Sequence, residues 1–284
     1  MISNMTTGII GKPIKHSLSP ILHRFWMKMY NIESEYKIYE IEKNDISHFL
    51  KTLEENNICG LNVTIPYKSE VINYLNHIDQ DALDLGAVNT IKVEKDNNLL
   101  GYNTDTYGFM EHLNLSVPSW KNKEGYITVI GAGGASRAII WSLLKKNKMD
   151  IKLFNRSKER ALKLIEDMKK IFPTSNIVFH SKLSEALKNS FLLINCSSLG
   201  MKGQPQLEID LRRMNENSII YDIVYSPLNT ELLSQAKKLS LITVDGLGML
   251  INQAAPAFEM WHNKKAIVNE ELRKKAVEYL KSRG

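Results

Sequence analysis

Residues 127–138 of the 284-residue chain join a β-branched run, Ile127-Thr128-Val129-Ile130, to a small-residue turn, Gly131-Ala132-Gly133-Gly134-Ala135-Ser136-Arg137-Ala138. A buried strand running through such a turn into a helix leaves free backbone N–H groups and a partial positive charge, a cradle for phosphate anions. Gly131 would end the strand tightly, and Gly133 would let a pyrophosphate approach the backbone. Ser136 stands where the G-x-G-x-x-G pattern has its third glycine, with Gly134 and Ala138 leaving small surfaces for packing. By itself the run also fits a tight βα turn that holds nothing. The end of the following strand separates two dinucleotide types. A carboxylate there binds a ribose 2′-hydroxyl, whereas a 2′-phosphate requires cations and no carboxylate. The residues are Asn155-Arg156-Ser157-Lys158-Glu159-Arg160, which favours NADP. A guanidinium pairs with phosphate and stacks on adenine. A solvated helix start is the plainer explanation of these cations, but positive charge at a helix N-terminus is mildly unfavourable, which argues for an anionic ligand.

A second group of polar residues falls at element ends in the first third of the chain. Ser17 and Ser19 precede a helix; Asn62-Val63-Thr64-Ile65-Pro66-Tyr67-Lys68 follows a strand; Gly86-Ala87-Val88-Asn89-Thr90 and Gly101-Tyr102-Asn103-Thr104-Asp105 complete the set. Each has an ordinary explanation taken singly. Ser19 reads as an N-cap, Asp105 as a cap for a helix from Thr106, Asn89 as a turn residue and Lys68 as a solvated charge.

The elements that must position these residues alternate. Residues 8–10 read as a strand, 20–30 as a helix with Ile21, Leu22, Phe25, Trp26 and Met29 on one face, 36–39 as a strand, 45–55 as a helix and 60–64 as a strand stopped by Pro66. Residues 87–93 and 99–102 flank Lys95-Asp96-Asn97-Asn98, a hairpin turn by composition. From residue 126 six further strands, at 127–130, 151–154, 177–179, 191–195, 219–223 and 241–244, alternate with helical stretches. The expected fold class is therefore α/β: a mostly parallel N-terminal sheet, and a doubly wound Rossmann-type sheet entered through a linker near residues 116–125.

Composition is that of a soluble globular protein, with 43% hydrophobic and 24% charged residues, which excludes disordered and low-complexity classes. Only Cys59 and Cys196 are present, too few for a secreted disulfide framework, so a reducing, cytoplasmic compartment is expected. Residues 1–7 lack a signal-peptide pattern, and the most apolar long window, 126–144, carries Arg137 and three glycines, so no membrane association is expected. The net charge of +6 is local. Residues 145–170 hold ten Lys and Arg against four acidic residues, which accounts for the whole excess and surrounds the strand end expected to meet the adenosine phosphate. Nucleic-acid binding would call for basic–aromatic interleaving, which the chain lacks. The seven histidines are scattered without ligand spacing, so no metal is expected.

Eight motifs, His16-Ser17-Leu18-Ser19-Pro20, 62–68, 86–91, 101–105, 131–138, 155–157, 195–201 and 246–253, occur in the order and spacing of the shikimate dehydrogenases, which the chain resembles over nearly its whole length. The resemblance implies NADPH-dependent reduction of 3-dehydroshikimate to shikimate, in aromatic amino-acid biosynthesis. It implies Ser17 and Ser19 at the substrate carboxylate, Thr64, Asn89 and Gln253 at its hydroxyls, and Lys68 with Asp105 at the reacting end as the catalytic pair. Tyr225 would also touch substrate. Gly131, Ala132, Gly133, Gly134, Ala135, Asn155, Arg156, Ser157, Lys158, Glu159, Arg160, Ile223 and Gly246 would line the cofactor. It further implies a substrate domain over 1–110, rejoined by C-terminal helices at 247–284, and an NADP domain over 111–246; a homodimer stays open. Asn195-Cys196-Ser197-Ser198 departs from the family's usual Ala and Thr at the two middle positions, and Ser157 replaces a Thr. Pro256, three residues after Gln253, predicts a kink or restart in the helix that carries it. An NAD-preferring quinate/shikimate dehydrogenase would carry an acidic residue at position 155, and a non-catalytic ligand-binding homologue could lack Lys68 or Asp105; neither applies.

Overall fold

The computed structural model describes residues 5–15 and 17–282, so His16 of the first motif and residues 1–4 lie outside the described residues. Two units emerge, one of residues 1–104 with 251–284 and one of residues 105–250. The first contains β1 (Thr6–Gly11), α1 (Ser19–Met29), β2 (Glu35–Glu40), α2 (Ile46–Lys51), β3 (Ile58–Val63), β4 (His77–Ile78), α3 (Gln80–Leu85), β5 (Thr90–Glu94) and β6 (Asn98–Tyr102). Its sheet has the order β2-β1-β3-β5-β6-β4. β1 pairs in parallel with β2 and β3, as β4 does with β6; β5 runs antiparallel to both neighbours. The expected hairpin joins β5 and β6, with Asp96 and Asn97 in the left-handed region.

Four local readings are corrected. Ser19 is the first residue of α1 and not its cap; the Ser17 hydroxyl accepts the Ser19 N–H at 3.2 Å, so the turn closes one residue earlier. On that helix His23 is buried and Met29 is exposed, a rotation of the expected face toward Trp26. The helix expected over 45–55 stops at Lys51, because the Thr52 hydroxyl bonds back to the Phe49 carbonyl (3.1 Å) and Asn56 to that of Thr52 (2.7 Å). β5 begins at Thr90 and not at 87, since Val88 N–H donates to the Lys68 carbonyl at 2.7 Å, outside the ladder. β4 and α3 have no counterpart among the expected elements, although Asp79, which accepts from Asp81 N–H, and Gly86 at φ +61° bracket α3 as cap and stop.

The second unit holds α4 (Asp105–Ser116), β7 (Tyr126–Ile130), α5 (Gly134–Lys145), β8 (Asp150–Phe154), α6 (Lys158–Ile171), β9 (Asn176–His180), α7 (Leu183–Ala186), β10 (Ser190–Asn195), β11 (Ile219–Asp222), α8 (Glu231–Lys238) and β12 (Ile242–Val244). All six strands expected here are present. They form a wholly parallel sheet of order β12-β11-β10-β7-β8-β9, whose order reverses between β7 and β10. That reversal places a ligand crevice at the carboxyl ends of these two strands. Within the expected linker, residues 118–122 form a 3₁₀ turn that buries Trp120.

α9 (Gly246–His262) and α10 (Glu270–Ser282) end the chain. α9 continues through Pro256, so the helix does not restart there. One missing backbone bond is offset by tertiary anchors: Ala254, Ala257 and Phe258 are buried, and the Trp261 indole donates to the Ile91 carbonyl at 2.9 Å over Gly60, where a Cβ would overlap it.

Candidate active site

In the first unit a hydrogen-bond lattice centres on Asn89, which is buried at the start of β5. Its Oδ1 accepts from Thr104 N–H (2.8 Å), the Thr104 hydroxyl (3.1 Å) and the Thr90 hydroxyl (3.0 Å). Those donors fix the amide, so Nδ2 faces Gln253 of α9 and donates to Oε1 at 3.1 Å. With its oxygen engaged, Gln253 presents its own NH₂ as a donor. Thr64 follows β3, its N–H bonded to the Ile10 carbonyl at 3.0 Å and its methyl close against Gly11. Lys68 is half-buried in the loop after β3. Ser17 and Ser19 enter α1, Ser17 half-buried and Ser19 buried.

Two further residues without an assigned role, Tyr36 and Asn62, extend this lattice. Fully buried Tyr36 donates to Asn62 Oδ1 at 2.7 Å, and Asn62 Nδ2 reaches the Thr90 hydroxyl at 3.4 Å. Burial holds the Tyr36 phenol well above its ordinary pKa, so it stays a donor. The alternation of strand β2 carries a signal for a buried Tyr36; nothing in it distinguishes a site neighbour from a core aromatic.

In the second unit the glycine-rich turn lies at the carboxyl end of β7. Gly131 has φ +106°, and a Cβ there would lie 3.2 Å from the Cys196 carbonyl. Gly133 and Gly134 face open space, where an added Cβ would meet nothing among the described residues within 4 Å, and they begin the 12-residue helix α5. Ala132 and Ala135 are half-buried, and the buried Ser136 hydroxyl braces the turn by accepting Gly133 N–H at 3.4 Å. A phosphate fits this cradle, because backbone and small side chains border it. At the end of β8, Asn155 Nδ2 donates to the Ser157 carbonyl at 2.7 Å and Ser157 caps α6, its hydroxyl accepting Arg160 N–H at 3.3 Å. Arg156, Lys158, Glu159 and Arg160 are exposed. The cations and the absence of a carboxylate at Asn155 suit a 2′-phosphate.

Ile223 and Gly246 are brought together: a Cβ on Gly246 would lie 2.1 Å from the Ile223 carbonyl oxygen. Because the obstacle is backbone, Gly246→Ala is expected to cost about 1–3 kcal/mol and to weaken dinucleotide binding, read as a lower thermal midpoint and a raised Kd. An unchanged midpoint would contradict that contact. Tyr225 follows in the same segment, half-buried, its phenol pKa raised by burial. Asp105 is the first residue of α4. Among the described residues no group of three or more His, Cys, Asp or Glu could hold a metal ion.

Similarity to known proteins follows the same division. Residues 9–91 match the shikimate dehydrogenase substrate-binding domain, residues 116–250 the shikimate/quinate 5-dehydrogenase family and residues 246–266 the shikimate 5′-dehydrogenase C-terminal domain. The shikimate dehydrogenase (NADP(+)) of Paramagnetospirillum magneticum is 40% identical over 266 residues, 94% of this chain and 95% of that one. Shikimate dehydrogenase from Aquifex aeolicus superposes with a TM-score of 0.85 at 31% identity, over 96% of this chain and 97% of that one. Shikimate 5-dehydrogenase from Thermus thermophilus, solved with NADP(H) and shikimate, gives a TM-score of 0.83 at 28% identity, over 98% and 99%. With 40% identity along nearly its full length and family matches to both its units, the chain belongs to the shikimate dehydrogenase family.

Proposed function

We infer that this chain reduces 3-dehydroshikimate to shikimate with NADPH, reversibly. The observation that carries the reading is the Asn89–Gln253 amide pair, whose fixed orientation offers N–H donors suited to a polyhydroxylated ring. NADPH, when bound, supplies the hydride. The residues of the chain do the rest. Ser17 and Ser19 offer hydroxyl donors beside a helix N-terminus to a carboxylate, and Thr64, Asn89 and Gln253 orient hydroxyls. A hydride added to a ketone carbon leaves alkoxide character on its oxygen, which requires a proton donor at that atom. We assign that role to Lys68, with Asp105 orienting the ammonium group and a substrate hydroxyl. Gly131 to Ala135 would receive the pyrophosphate, Arg156, Lys158 and Arg160 the 2′-phosphate, Ile223 and Gly246 would line the cofactor, and Tyr225 would touch substrate. A cytoplasmic location belongs to the same proposal, supported by two cysteines that are both buried and unpaired.

The test is a spectrophotometric assay of the purified protein on shikimate and quinate, each with NADP⁺ and NAD⁺. Shikimate with NADP⁺ is expected to give the highest kcat/KM. Faster turnover of quinate with NAD⁺ would overturn the reading.

A further inference from the structure

The residue on which the cofactor half of the site converges is one to which neither the motifs nor the chemistry above gives a role. Asp222, at the end of β11, is fully buried. A carboxylate taken out of water is tolerated only with its lone pairs satisfied. Here three donors satisfy it: Asn195 Nδ2 at 3.0 Å and Val224 N–H at 3.1 Å on Oδ1, and the Thr230 hydroxyl at 2.7 Å on Oδ2. Each donor governs a different segment. Asn195 uses its whole amide, also donating to the Leu199 carbonyl (3.1 Å) and accepting from Ser197 N–H (3.1 Å) and the Ser197 hydroxyl (2.7 Å). The next residue, Cys196, donates its N–H to the Ile130 carbonyl at 2.8 Å and lies against Gly131. The glycine turn therefore rests on a loop that Asp222 holds. On the other side Val224 N–H fixes the chain between Ile223, which backs onto Gly246, and Tyr225. Thr230 caps α8 through its bond from Leu233 N–H at 3.3 Å.

We propose that Asp222 is a positioning residue that sets, through one buried carboxylate, the backbone of both the 195–199 loop under the dinucleotide turn and the 223–225 segment that would meet cofactor and substrate. This rests on the functional reading above. Bonds to an ionised acceptor are stronger than those to a neutral one, which suits a group that must hold three segments at once. Burial raises the Asp222 pKa, and its three donors oppose that rise.

The experiment compares Asp222→Ala with Asp222→Asn in the full chain, measuring the Kd of NADP⁺ by calorimetry, kcat and KM for shikimate, and the thermal midpoint. Alanine leaves three buried donors without an acceptor, so NADP⁺ Kd is expected to rise about tenfold or more and kcat/KM to fall about 10²-fold. Asparagine keeps the Oδ1 bonds while Thr230 turns to accept, and is expected to recover NADP⁺ affinity to within about fivefold of the parent. A folded Asp222→Ala chain with a lower midpoint but NADP⁺ Kd within about twofold of the parent would overturn the proposal. If Asp222→Ala does not fold, Asn195→Ala tests the same link. The carboxylate then keeps two donors while the loop under Gly131 is released; weakened NADP⁺ binding supports the proposal and parental binding defeats it. A parent protein that binds NADP⁺ but does not turn over shikimate refutes the functional reading, and the Kd comparison still decides the role of Asp222.

Discussion

Lys68→Met is expected to lower kcat for shikimate oxidation by about 10²-fold or more while KM changes by less than about threefold. Methionine nearly matches the length of the lysine stem and can lie along the same path, but it carries no N–H. In the role proposed for Lys68, what disappears is the proton transfer at the reacting oxygen, an interaction felt mainly in the transition state, and a loss of 10² corresponds to about 3 kcal/mol of barrier. The backbone of the loop is expected to survive the change, since Val88 N–H bonds to the main-chain carbonyl of residue 68 and Tyr67 N–H to that of Thr64. NADP⁺ binding belongs to the other unit and should be unaffected. Steady-state kinetics together with a direct NADP⁺ Kd check this, and a nearly normal kcat in the variant would remove Lys68 from the acid/base role.

The dinucleotide half of the site is far more legible in the sequence than the lattice that supports it. Gly131 to Ala138 and Asn155 to Arg160 announce themselves because their chemistry depends on backbone freedom and charge, both local properties of sequence. The six strands of the second unit are equally plain, since buried parallel strands read as continuous β-branched runs. Asp222 and Asn195 lie in or beside recognisable motifs, but a carboxylate that binds three segments from different parts of the chain has no local signature. The same is true of Tyr36 and Thr104, whose partners Asn62 and Asn89 lie on other elements. The corrections have a common cause. The helix stop after Lys51, the late start of β5 and the passage of α9 through Pro256 each follow from a hydrogen bond or a packing contact that overrides propensity.

Lowering the pH from 7 to 5 is expected to destabilise the first unit by about 3–4 kcal/mol through two histidines that the fold keeps neutral. His23 is fully buried, stacked on Tyr36 at 4.5 Å with the rings 13° apart, and also near Trp26 and Trp261; neither ring nitrogen has a hydrogen-bond partner among the described residues. Burial, assisted by nearby His262, pushes its pKa down to about 3, and burial lowers that of His262 to about 4. In the unfolded chain both titrate near 6.5. Between these limits the unfolded state holds more protons than the folded one, so stability is full above about pH 6.5 and is lost as the pH falls, by about 1.4 kcal/mol per unit for each group. The carboxylates held low by cations, exposed Glu94 and Asp210 and half-buried Asp167, lose their contributions only at more acidic pH. Raised Asp222 acts in the opposite direction and His180 in the same one, but both belong to the second unit. Urea unfolding at pH 7 and pH 5, followed through Trp26 and Trp261 in a chain whose Trp120 and Trp141 are replaced by Phe, isolates the first unit. His23→Phe removes no hydrogen bond and leaves an aromatic ring among aromatic neighbours, so it is expected to remove about half of the pH 7 to pH 5 loss. An identical loss in the variant would show that the proton is taken up elsewhere.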